Sequence, residues 1–144
     1  MGSYSSIGAW RSQNFELTAT PSGTGTANVK ICDNVIVVDV NGLASGETLT
    51  INTPFDFEIY DAWVVVKTAG GITASTVVIN NDSTAVTNTF ATVTAKTVAR
   101  TTTLDDLQAK FNSGDDDLVV KIGAQAAGDF MVYIAIGPWM STAA

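Results

Sequence analysis

Apolar and polar residues alternate with a period of two along most of the chain, which is the signature of β-strands with one buried face. ETLTINT is the cleanest case: Leu49 and Ile51 face one way, Thr48, Thr50 and Asn52 the other, until Pro54 ends the run. Similar runs are NVKIC, VIVVDV, FEIYDAWVVVKT, STVVIN, LVVKIGA and DFMVYIAIG, with one or two more strands in TNTFATVTAKTVAR. Turn-forming residues separate them: Asp33-Asn34, Asn41-Gly42, Gly70-Gly71 and the stretch Asn80 to Ser83. Valine, isoleucine and threonine are abundant, and their branched Cβ atoms suit a pleated, half-buried surface. About eight short strands with polar turns predict an all-β chain, a jelly-roll-like antiparallel β-sandwich.

Two segments break the pattern. Residues 1–27 are rich in Ser, Gly and Thr and carry isolated large apolar residues: Tyr4, Ile7, Trp10, Phe15 and Leu17. A plain linker carries few aromatics, so this reads as an extended arm that docks on something, with one short strand near Phe15–Thr18. The sandwich domain is then residues 28–144. One short helix is expected after Thr103, where a hydroxyl precedes Asp106 by three residues and Leu104, Leu107 and Phe111 share a face. Asp105 and Asp106 suit the positive end of its dipole.

Two strands are apolar on both sides. In DAWVVVK, Val64 and Val66 oppose Trp63 and Val65; in FMVYIAI, Phe130, Val132, Ile134 and Ile136 oppose Met131, Tyr133 and Ala135. An isolated sandwich leaves one face of each strand wet. Something must cover the outer side, either the chain's own arm and helix or another subunit. Trp63, Val65, Met131, Tyr133 and Trp139 are therefore the candidate oligomer interface. Tyr4, Ile7, Trp10 and Phe15 are the candidate binding residues of the arm.

Composition narrows the function. Hydrophobic residues make up 46% and charged residues 15% of the 144-residue chain, which is too apolar for disorder and fits one domain. No apolar run reaches the ~18 residues of a membrane helix, and no basic-then-apolar leader is visible, so neither a membrane span nor a signal peptide is expected. The net charge of −7 repels phosphate backbones and disfavours a nucleic-acid partner. There is no histidine, hence no triad of the common kind and no histidine metal ligand. The one cysteine, Cys32, ends a strand-like run and reads as a small residue beside the core. Asp115, Asp116 and Asp117 follow Gly114 and lack the alternate-position ligand spacing of a calcium loop. A solvated connector is the simpler account of them, and a weak calcium site using two of the three stays open. The expectation is a non-enzymatic protein without a cofactor.

The order of pieces from DAWVVVKTAGGITASTVVINNDSTAVTNTFA through TTTLDDLQAKFNSGDDDLVVKIGA to GDFMVYIAIG resembles the capsid decoration (cement) and head proteins of tailed bacteriophages. The resemblance covers roughly residues 57–137. It implies a jelly roll, often homotrimeric, on the outer capsid surface of a virion, with an arm gripping the phage major capsid protein across subunit junctions. No catalytic residue comes with it. The aspartate triplet is a departure, since related chains are glycine-rich at that turn. A receptor- or carbohydrate-binding sandwich of a phage tail or fibre is the alternative, because an exposed tryptophan also serves as a sugar platform.

Overall fold

The computed structural model describes residues 15–68, 76–92, 94–123 and 129–138. They form an all-β protein of two antiparallel sheets packed as a sandwich. The strands are β1 (Phe15–Leu17), β2 (Ala19–Pro21), β3 (Thr26–Cys32), β4 (Val35–Asn41), β5 (Thr48–Ile51), β6 (Phe57–Thr68) and β7 (Thr76–Asn81). After these come β8 (Thr84–Ala85), β9 (Phe90–Ala91), β10 (Val98–Arg100), β11 (Lys110–Phe111), β12 (Leu118–Ile122) and β13 (Asp129–Gly137). The larger sheet runs β1-β3-β4-β13-β6-β10, with β11 also on β6; the smaller runs β2-β5-β12-β7-β8, with β9 also on β7. From β4 onward the chain passes back and forth between the sheets so that its last long strand, β13, lies between β4 and β6, and β12 lies between β5 and β7. That interleaving is the winding of a jelly roll.

The core lies between the inner faces. Val64 and Val66 of β6 meet Val132, Ile134 and Phe130 of β13 and Ile36, Val38 and Val40 of β4, all almost wholly buried. Leu49, Ile51, Ile79, Leu118, Val120 and Ile122 come from the opposite sheet. A register shift of β13 against β6 between Ala135 and Ile136 places the extra residue near Tyr60. This bulge moves the alternation by one position, so Phe57 and Ile59 face inward together with Ala62, Val64 and Val66. Tyr60 is thereby turned outward, its hydroxyl bonded to the Pro138 carbonyl. Gly137 leaves room for it, since a Cβ there would meet the Tyr60 ring where it now lies.

The sheets reach further toward the N terminus than expected. β1 pairs with β3 and β2 pairs with β5, so residues 15–27 are woven into both sheets. Phe15, grouped with the arm by the sequence reading, starts β1 and packs edge-on against Phe55, with centroids 6.4 Å apart. Tyr4, Ile7 and Trp10 lie outside the described residues, as does Trp139.

The expected helix is corrected. Among the described residues there is none. Asp105, not Thr103, is the cap: its Oδ1 accepts the Leu107 and Gln108 N–H groups, and its carbonyl accepts Ala109 N–H at 2.8 Å. One helical turn forms and stops. Lys110 and Phe111 then pair with Glu58 and Phe57 as β11, and the Phe57 and Phe111 rings stack at 4.7 Å. A two-turn helix is marginal alone, and burying Phe111 on the sheet outweighs it. Leu107 is left 79% exposed, so the three-residue apolar face does not exist.

The Asn80–Ser83 turn is also shorter than expected. Asn80 and Asn81 are buried strand residues, and only Asp82 adopts the left-handed turn conformation, with φ of 54°. Asn81 donates its side-chain amide to the Gln108 and Lys110 carbonyls, tying β7 of one sheet to β11 of the other.

Candidate functional site

The outer face of the larger sheet can be written as rows of directly opposed residues. One row is Glu16, Lys30, Val37, Tyr133, Trp63 and Arg100, on β1, β3, β4, β13, β6 and β10 in turn. The next is Asn28, Asp39, Met131, Val65 and Val98, from β3 to β10. Four of the five residues proposed from sequence for an interface, Trp63, Val65, Met131 and Tyr133, are thus adjacent on two neighbouring strands. Each is half-buried, covered partly by its neighbours and partly open.

Within this patch the aromatic pair forms a ridge. Trp63 and Tyr133 stack nearly parallel, with ring centroids 5.4 Å apart. The Arg100 guanidinium carbon lies 4.9 Å from the Trp63 ring centre, and its Nη2 donates to Asp61 Oδ2 at 2.8 Å. β13 and β10 flank β6 on opposite sides, so Trp63 stands between Tyr133 and Arg100 on the outer face. Among the described residues the Tyr133 hydroxyl reaches the Met131 sulfur, at 3.6 Å, a weak acceptor. Val98, at the edge of the patch, is 58% exposed.

Beside the ridge lies a groove of about 440 Å³ over β1, β3 and β4. Glu16, Asn28, Lys30, Val37, Asp39 and Met131 point into it. Asp39 is paired with Lys67. Glu16 and Lys30 face each other across β1 and β3, and neither forms an ion pair among the described residues. Sequence reading missed Glu16, Lys30, Val37, Val98 and Arg100. Each lies on a strand with an ordinary alternating or polar pattern, and only the pairing order sets them beside Trp63 and Tyr133.

The aspartate triplet is divided among separate tasks. Asp116 accepts Asn112 N–H at 2.8 Å, and Asp115 accepts the Asn112 side-chain amide at 3.2 Å. Asp117 N–H donates to Asp82 Oδ1, and Asp82 N–H returns to the Asp117 carbonyl, both at 2.8 Å. The Asp115 and Asp116 carboxylates thus hold the turn between β11 and β12, and the Asp117 backbone ties its end to Asp82. Among the described residues no three His, Cys, Asp or Glu side chains are grouped to hold a metal ion. Cys32 is a free, half-buried thiol opposite Val35.

A carboxylate the sequence did not single out is Glu47. It is 6% exposed and accepts the Gly23, Gly25 and Ala44 backbone N–H groups at 2.8, 3.2 and 2.6 Å. It joins the loop before β3 to the loop before β5, a structural role. Compared with known proteins, the chain matches no family model and no curated protein.

Proposed function

We propose that this is a structural virion protein, which self-associates and decorates a phage head by bridging major capsid protein subunits on the outer capsid surface. The observation that carries the reading is the half-covered apolar face around Trp63, Val65, Met131 and Tyr133 on a rigid two-sheet scaffold. The resemblance of residues 57–137 to cement and head proteins supplies the setting. A cement protein adds contact area between neighbours and uses no reaction centre. It needs a stiff body, a surface for its own kind and a segment that grips the lattice. Several weak grips per assembly give high avidity.

The test is co-sedimentation of the full chain with heads built from the major capsid protein of the same phage. Bound protein and a higher head disruption temperature are expected. Deleting residues 1–14, which leaves β1 whole, is expected to abolish attachment while the unfolding curve stays unchanged. Heads that neither bind the protein nor gain stability sink the capsid reading. Attachment that survives the deletion removes the arm from it.

A further inference from the structure

We infer that the outer face of the larger sheet is closed by a second copy of this chain, related by a two-fold axis that runs along the strands between β4 and β13. The inference rests on the assembly reading and names the occupant and geometry of the same surface. It replaces the three-fold closure implied by the resemblance with a pairwise one.

The argument comes from the order of residues across the sheet. The first row has an acid at one end, Glu16, and a base at the other, Arg100. Ridge and groove also divide the face: Tyr133 and Trp63 stand over β13 and β6, while the groove runs over β1, β3 and β4. An axis along the strands exchanges the two halves. It brings β1 over β10, β3 over β6 and β4 over β13 of the second copy. Glu16 then faces Arg100, Lys30 faces the Trp63 edge, and Val37 faces Tyr133, each contact made twice. The aromatic ridge enters the groove, and the Tyr133 hydroxyl comes within range of polar groove side chains that are better acceptors than a thioether. Two sheets packed in this way lie ~10 Å apart with strands aligned to within ~30°, the usual arrangement of stacked sheets.

The other two-fold, across the strands, fails on the same observations. It sets Arg100 against Arg100, ridge against ridge, and groove against groove, giving repulsion and a void. A three-fold ring also fails, because it needs the two complementary surfaces on different sides of the subunit. Here they share one side.

The full chain should behave in sedimentation equilibrium as a concentration-dependent pair, at twice the 15.0 kDa chain mass. Glu16→Arg and Arg100→Glu alter exposed residues and should leave the unfolding midpoint nearly unchanged at protein concentrations low enough for the chain to be a monomer. Each alone should weaken pairing by about tenfold. Together they recreate the opposite-charge contact with its signs exchanged and should recover most of that loss. The recovery is the decisive readout, because each single change also disturbs a neighbour, Lys30 or Asp61. A trimer mass, a monomer at every concentration, or a double variant no tighter than the singles overturns the two-fold. The capsid reading fails separately, if pairs form normally and still do not bind heads.

Discussion

The larger sheet turns Trp63, Val65, Met131, Tyr133 and Val37 outward, whereas the smaller sheet turns out a different set. Its matching rows are Thr20, Thr50, Val119, Asn80 and Ala85, and then Thr48, Lys121 and Val78. Both sheets bury equally apolar inner faces against each other. The difference lies wholly on the outside. Threonine keeps the branched Cβ that a strand favours and adds a hydroxyl that water can satisfy. The threonines of β2 and β5 are therefore suited to water, while Val119 and Asn80 at the centre of that face are buried. On the aromatic face Arg100 stands at one side and Lys30 and Glu16 at the other, with Asp39 beside Met131 paired to Lys67; an apolar centre flanked by polar groups is how surfaces that meet other proteins are arranged.

The comparison can be broken first at the shared interior. Phe130→Ala, from the larger sheet, should cost about 4 kcal/mol, and Ile79→Ala, from the smaller, about 3 kcal/mol. Urea unfolding should show both losses at low protein concentration, because neither residue touches an outer face. The next effect is local to the loops. Glu47→Ala leaves three backbone N–H groups without their acceptor and should cost about 3 kcal/mol by the same measurement. Equal stability of that variant would mean water replaces the carboxylate.

The outer faces should then respond in opposite ways. Replacing Trp63 and Tyr133 together by serine removes the ridge. The expected result is a monomer by light scattering, with a subunit only about 1 kcal/mol less stable, since the lost pair is half-exposed. An unchanged oligomer mass would move the association surface elsewhere. Thr50→Val on the smaller sheet should change stability by less than ~0.5 kcal/mol and leave the mass as it was. A rise in mass there would show that the threonines actively prevent association.

Much of this was legible from the residues in order. The clean alternation of Leu49 and Ile51 in β5 matched its burial, and the runs around Trp63 and Met131 announced strands with two apolar sides. Those signals are local: a strand shows its faces through its own period of two. The bulge near Tyr60 was hidden, because a single phase shift inside an apolar run leaves no mark until the partner strand is known. Asn80 and Asn81 look like turn residues by type, yet Asn81 is held by carbonyls of a segment far along the chain.

Local residue order was enough for the class of fold, most of the strands and the surplus of apolar surface on β6 and β13. Tertiary structure alone decided that Lys110 and Phe111 join β6 rather than extend a helix, because the Phe57 surface on which Phe111 stacks exists only after the sheet has formed. It also decided that Glu16, Lys30 and Arg100 border the same face as Trp63 and Tyr133. The order of strands in a sheet is a long-range property, fixed by which inner faces bury one another, and no single strand's pattern contains it.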